Sequence, residues 1–396
     1  MVRELPVVEA SGSHREVGRQ IGEECRELVA GGLDAYRERF AALAGFGFAD
    51  AVDRSRAYLR PAVEYLPGSV DQLRGLAEGA NQPFELLFAL NCSEEFTCAA
   101  DREWPPDGAD RQDAARPGTS AAGHCTSLVV AAGGRVVSGH NEDWYPEEIE
   151  RLVVRRVRLT ERSVPGGVRS EAGITYISAG PPYNLPFTGL TAAGFSASAN
   201  TVYYRDERVG VPDNCILTAV LEQPDLESAR DLILGAPRAR GANHLLSDRR
   251  GRVWDLETTG ALAAVIEVQG VRRGDDADRR ALPDDALLFA HTNHYVAPEL
   301  MPGDASRSEG SRLRRDRAER LLLAGLKEGA DLVELAAAVL SDHENAPSSI
   351  CAHWDDGDPD PAQSVTTASM VWDLAEGRAR VAGGQPCGAG YAAYDL

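Results

Sequence analysis

The chain has 396 residues, 26% of them charged and 43% apolar, which suits a soluble globular protein with a large core in two domains or one big one. Its formal net charge of −20 argues against nucleic acid as a partner, because phosphate binding needs a basic face. Lys327 is the only lysine, which excludes a P-loop and a Ser-Lys hydrolase and argues against a Schiff-base enzyme.

The opening run MVRELPVVEASGSHREVG lacks the apolar stretch of a signal peptide, and no later run is long enough to span a bilayer. A cytoplasmic protein with no membrane partner is therefore expected. Over residues 13–45, Val17, Ile21, Cys25, Leu28 and Val29 recur at helical spacing. Helical patterns resume in VDRSRAYLRPAVEYLP, PGSVDQLRGLAEGA and FELLFALNCSEEF, so the front of the chain is expected to be mainly α. Residues 104–123, WPPDGADRQDAARPGTSAAG, have no apolar period and the composition of a mobile loop.

Strands follow. Val129 and Val130, then Gly133-Gly134, then Val136 and Val137 predict a tight hairpin, since both glycines can take φ > 0. Further strands are expected in RLVVRRVRL, ITYISAG, GFSASAN, HLLSDRRGRVWDLE, ALLFAHTNHY, SVTTASMVWDL and RARVAGG. Helices are expected in CILTAVLEQPDLESARDLILG, SRLRRDRAERLLLAGL and DLVELAAAVL, with loops at VRRGDDADRRALPDD and WDDGDPDPAQ. Blocks of strands with clustered helices predict α+β layers rather than alternating βαβ units.

Seven cysteines without short regular spacing suit a reducing compartment. Cys25, Cys215, Cys351 and Cys387 read as buried thiols, and Cys92 and Cys98 are too far apart for a CxxC metal site. His291 and His294, in HTNH, would point to opposite faces of a strand and so read as packing or hydrogen-bonding histidines; no metal is expected. GFSAS lacks the second glycine of a nucleophile elbow.

Cys125 sits between the loop-like run and the first strand of the hairpin. Its local pattern leaves three readings open: a structural cysteine, a cysteine hydrolase with a distant histidine, or a cysteine that becomes an amino terminus by cleavage of the preceding bond. In the last, the freed amine, with an ordinary pKa of ~7.7–8.0, would serve as base for its own thiol.

The pieces CTSLVV with GHNEDW, AAGFSASAN, ANHLLSD with VWDLE, HTNH, SSICAH and the closing VWDL…ARVAGGQPCGAGYAAYDL occur in an order that resembles the isopenicillin N acyltransferase family of N-terminal-nucleophile enzymes, whose relatives include N-β-alanyl-dopamine hydrolase. The helical front resembles it through REVGRQIGE and FALNCSEEF. The resemblance implies a four-layer αββα sandwich and a precursor cut between His124 and Cys125. Residues 1–124 would form a small subunit and 125–396 the catalytic one, and the two would stay associated.

It further implies Cys125 as nucleophile, Asp143, 18 positions on, as the carboxylate required for maturation (with Asn141 or Glu142 sharing the task), and Asn293 as oxyanion donor. Asn141, Asn200 and His291 are the expected substrate-binding residues. No cofactor is expected, and the implied activity is cleavage or formation of the amide bond of a small acylated amine. Acyl transfer from a thioester or amide donor to an amine is one alternative, and an unprocessed binding protein of the same fold is another. The sequence departs from the family pattern at His124, where glycine is usual, and at Ala362 and Gln363, which replace a serine–arginine pair.

Overall fold

The computed structural model describes residues 2–98, 125–270, 282–306, 309–354 and 364–396. His124, the 104–123 run, residues 271–281, Ala362 and Gln363 lie outside the described residues.

Alternation along the strands explains why the chain forms layers. In β2 (Thr126–Ala132), Val129 and Ala131 face one core while Leu128 and Val130 face another. In β4 (Val153–Val164), Val154 faces the first core while Val153, Val157 and Leu159 face a third. Each strand is therefore apolar on both sides, and each sheet must be covered on both faces.

One sheet has the order β1-β4-β5-β6-β7-β8-β9-β10. It comprises β1 (Val7–Gly12), β4, β5 (Gly167–Gly180), β6 (Gly189–Thr191), β7 (Phe195–Thr201), β8 (Ala242–Asp248), β9 (Val253–Thr258) and β10 (Ala263–Glu267). The other has the order β11-β2-β3-β12-β13-β14, with β3 (Arg135–Trp144), β11 (Leu287–His291), β12 (Val365–Asp373), β13 (Arg378–Gly383) and β14 (Ala392–Asp395). Their facing sides share a core of Val129, Val154, Ile177, Leu245, Phe289, Met370 and Trp372.

Helices α1 (His14–Glu24) through α8 (Leu226–Gly235) cover the outer face of the first sheet. Helices α9 (Glu309–Glu328) and α10 (Leu332–Leu340) cover the second through Ala318, Leu322, Leu335 and Val339. The result is the expected αββα sandwich.

The hairpin forms as expected, with Gly133 and Gly134 at φ 60° and 74°, the pair of positive values that a two-residue turn matching strand twist requires. The helical front differs in two ways. The single helix expected over 13–45 is two, α1 and α2 (Arg26–Ala44), broken at Cys25. Ahead of them, β1 adds a strand parallel to β4 at the edge of the first sheet.

Helices α1 and α4 (Pro67–Ala80) approach through Gly18 and Gly22 against Gly75 and Gly79. A Cβ at any of the four would lie 2.0–2.4 Å from a backbone carbonyl oxygen of the partner helix. Buried His14, at the start of α1, holds this layer to the sheet. Its Nδ1 meets Glu161 Oε1 at 2.9 Å and its Nε2 meets Glu222 Oε2 at 3.0 Å. Among the described residues, no helix is long and apolar enough to cross a membrane.

Candidate active site

Cys125 immediately precedes β2 and shares the parity of Val129 and Ala131, so its side chain faces between the sheets. That layer is apolar at one end and polar at the end where Cys125 lies. The thiol is 3.7 Å from Glu142 Oε2, which also meets His140 Nε2 at 3.0 Å. His140 Nδ1 contacts Ser127 Oγ at 2.9 Å, and Ser127 donates to Asn200 Oδ1 at 3.2 Å. Asn200 in turn donates to Asn243 Oδ1 at 2.8 Å. Burial pushes the Cys125 thiol well above its ordinary pKa; the charges of Glu142 and Asp143 add to this, and a backbone hydrogen bond from Asp143 opposes it. In the continuous chain the sulfur is therefore protonated.

Asp143 lies on the opposite face of β3 and is fully buried. Its Oδ1 accepts from Thr366 Oγ1 at 2.6 Å, while Oδ2 has no hydrogen-bond partner among the described residues. Burial raises its pKa to about 7, against the lowering effect of the Thr366 hydrogen bond and of Arg314. Asn293 is held on both sides of its amide. Its Nδ2 donates to the Thr201 carbonyl at 2.9 Å, and its Oδ1 accepts from Arg314 Nη2 at 2.7 Å.

Arg314 escapes the sequence reading. It is 1% exposed, and its charge couples to both Asp143 and Cys125, so it links the three residues singled out as catalytic. Its signal was its place in α9: Ser311, Arg314, Ala318 and Leu322 form one helical stripe, which puts a guanidinium among buried positions.

Two expected substrate contacts are placed elsewhere. Asn141 points to the outer helix layer, where its Nδ2 donates to the carbonyls of Leu340 and Ile350 at 2.9 Å each. It anchors α10 and does not line the pocket, because it is one residue out of phase with His140 and Glu142. His291 is also turned away. Its Nε2 meets Glu257 Oε1 at 2.7 Å and its Nδ1 meets the Thr292 carbonyl at 2.6 Å, so both ring nitrogens are engaged in the fold. Burial lowers the His291 pKa, and Asp255 and Glu257 more than reverse this.

The rings of His291 and His294 do not point to opposite faces, since β11 ends at His291. They stack with centroids 6.2 Å apart, and His294 Nδ1 contacts Ser311 Oγ at 2.6 Å. Both are hydrogen-bonding histidines, as expected.

The pocket that reaches Cys125 encloses about 780 Å³ including its open mouth. Aromatic walls come from Tyr36, Trp144 and Phe187, and Asn200 and Thr201 also line it. Its carboxylates are Glu94, Glu142, Glu148 and Asp213; its arginine, Arg240, is paired with Glu94 at 3.3 Å and Asp213 at 3.5 Å. Tyr36 and Glu94 come from the helical front, so both halves of the chain build this wall.

Residues 130–387 match the family described as Acyl-coenzyme A:6-aminopenicillanic acid acyl-transferase. The chain belongs to this family. The match thus makes it a member of an acyl-transferase family. The family match begins at Val130, beyond Cys125.

Among solved structures, the chain is similar to penicillin V acylase from Agrobacterium tumefaciens, at 18% identity over 65% of this chain and 83% of that one, with a TM-score of 0.44. It is also similar to a mutant of conjugated bile acid hydrolase from Clostridium perfringens, at 14% identity over 69% and 92% of the two chains, with a TM-score of 0.46. No curated protein matches.

Proposed function

We propose that the chain cuts itself between His124 and Cys125, and that the freed Cys125 then cleaves the amide bond of a small acylated amine through a thioester. The observation that carries this reading is the place of Cys125: the residue that opens an inner strand, its thiol buried at the pocket, directly after a run with loop composition.

In the first step the thiol attacks the His124 carbonyl, and the acyl group passes from nitrogen to sulfur. Water then hydrolyses the thioester, leaving a carboxylate on His124 and an amine on Cys125. Asp143, sharing its strand with Glu142, orients the groups around the new terminus. Before the cut, burial and two carboxylates hold the thiol neutral. Afterwards the adjacent amine accepts the thiol proton, and the resulting ammonium offsets those carboxylates.

In turnover the thiolate attacks the substrate amide, with Asn293 donating to the oxyanion and Arg314 fixing the orientation of that amide. The amine leaves with a proton, and water releases the acid from the sulfur. The small fragment stays in place, because its strand and helices share the core of the first sheet.

Pocket charge favours hydrolysis of a cationic or neutral amine derivative over use of a polyphosphate-bearing thioester. Four carboxylates line the pocket with an arginine already paired to two of them, so an anion gains little there. On this reading the enzyme works in the cytoplasm and without a cofactor.

Intact-mass measurement of purified protein should give two fragments, one ending at His124 and one starting at Cys125, that co-elute in native gel filtration. Cys125→Ala should give a single folded, inactive chain. An uncut wild-type chain that turns over an amide would remove self-processing from the mechanism.

A further inference from the structure

Four side chains without a part in this chemistry converge on one point. His343 lies in the loop after α10, Cys351 and His353 lie in the run that leads to β12, and Cys387 is in α11 (Pro386–Ala389). Their four donor atoms all lie within 4.8 Å of one another. The His343 and His353 Nε2 atoms are 3.0 Å apart, and the two sulfurs are 3.8 Å apart. His353 Nε2 is 3.5 Å from the Cys351 sulfur and 3.3 Å from that of Cys387.

Tetrahedral zinc with ordinary bond lengths requires edges of about 3.8 Å between sulfurs, about 3.5 Å between sulfur and nitrogen and about 3.3 Å between nitrogens. The edge between the sulfurs, the edge between the imidazole nitrogens and the two edges from His353 to the sulfurs fall within roughly 0.3 Å of these. The two edges from His343 to the sulfurs are no longer than 4.8 Å. A disulfide needs its sulfurs near ~2.05 Å and gives no reason for two imidazoles to aim their Nε2 atoms at them. A purely hydrogen-bonded group is also a poor account, since His353 Nε2 has a single proton or lone pair to offer to three neighbours at 3.0, 3.5 and 3.3 Å.

We propose that His343, Cys351, His353 and Cys387 form a structural zinc site. Two thiolates balance the charge of the ion and two neutral imidazoles complete it, which is a closed set with no position left for substrate. The sequence reading took Cys351 and Cys387 as buried thiols; Cys387 is exposed, and only Cys351 is buried. The spacing gave no warning, because the ligands come from three segments.

The site would fasten these segments behind the candidate catalytic centre. Ile350, beside Cys351, accepts from Asn141. Ala352 donates its N–H to Thr366 Oγ1 at 2.9 Å, and Thr366 is the partner of Asp143. Zinc therefore acts as a clamp on the support of Asp143 and has no part in bond breaking.

The test uses the full chain purified without chelator and measures metal by inductively coupled plasma mass spectrometry. About one zinc per chain is expected. Cys387→Ser and His343→Gln, both at exposed positions, should each lower this at least tenfold after dialysis while the chain still elutes as a folded species. Cobalt exchanged into the wild-type protein should show the visible bands of a tetrahedral ion and a thiolate charge-transfer band, both absent from Cys387→Ser.

Three results would overturn the proposal. One is no metal in the wild-type protein, even after incubation with equimolar zinc under reducing conditions. Another is full zinc retention in both variants. The third is a Cys351–Cys387 disulfide, found by peptide mapping, in protein that was never exposed to oxidant.

Discussion

Replacing His14 by Gln should abolish one defined part of the pH dependence of stability. His14 is 1% exposed. Burial alone would lower its pKa, but the charges and hydrogen bonds of Glu222 and Glu161 override that and raise it from 6.5 to about 9. The folded state thus binds this proton more tightly than the unfolded chain. The stabilisation is fully present below pH 6.5 and is lost as the pH rises through about 9. At about 1.4 kcal/mol per pH unit, the gap amounts to roughly 3 kcal/mol, of which roughly 2 kcal/mol disappears between pH 7 and 9.

This window is largely free of the raised carboxylates. Glu95 and Asp143, near 7, and Asp255, near 6, shed their contributions mainly below it. The assay is urea unfolding at pH 7, 8 and 9, with Cys125→Ala in both proteins so that the chain stays continuous. The parent should lose roughly 2 kcal/mol more than His14→Gln across the series, because the buried thiols Cys25, Cys92 and Cys215, whose pKa values are also raised, tilt both proteins alike and cancel in the difference. His14→Gln should be less stable at pH 7. An unchanged slope in the variant would show that His14 is not the titrating group and that its two carboxylates do not hold it charged.

Asn293→Ala should fold, process more slowly and turn over with kcat reduced roughly 10²- to 10³-fold, the usual loss for one oxyanion donor; near-normal turnover would end that assignment. Thioester pre-formed from an amide substrate should partition to free acid even with millimolar amines present, and capture of most of the acyl group as new amide would replace hydrolysis with transfer. Substrates with a cationic amine should show a higher kcat/KM than isosteric anionic ones, by a factor that shrinks as salt is added.

The layers were legible because alternation and helical spacing survive in the residues themselves, and β2, β3 and their two-glycine turn stand as read. The strand β1 was not, since VVEASG is short and sits before a strong helix signal. Its pairing with β4 is a long-range choice that local pattern does not contain.

In the site, a count of parity from Cys125 would have separated His140 and Glu142, which face it, from Asn141 and Asp143, which do not. The resemblance drew attention to the whole GHNEDW run and hid that distinction. His291 was misplaced for a related reason, because HTNH leaves the strand after its first residue. The proposed zinc site was invisible because one short pair, Cys351 and His353, is too little to mark a site whose other two members lie at 343 and 387.

The partner of Asp143 is Thr366, 223 residues further along the chain, and the amide of Leu5 donates to the hydroxyl of Tyr394 at 2.7 Å. A nascent chain that has already exposed Cys125 to solvent still lacks β12, the neighbour that completes the strand carrying Asp143. Contacts of such sequence separation form late, after the loop-closure cost has been met. On the proposed mechanism, maturation that depends on Asp143 would wait until β12 has been made and paired. The topology would then act as a timer: a product truncated before β12 would keep its cysteine inside an uncut chain and never acquire a reactive amino terminus.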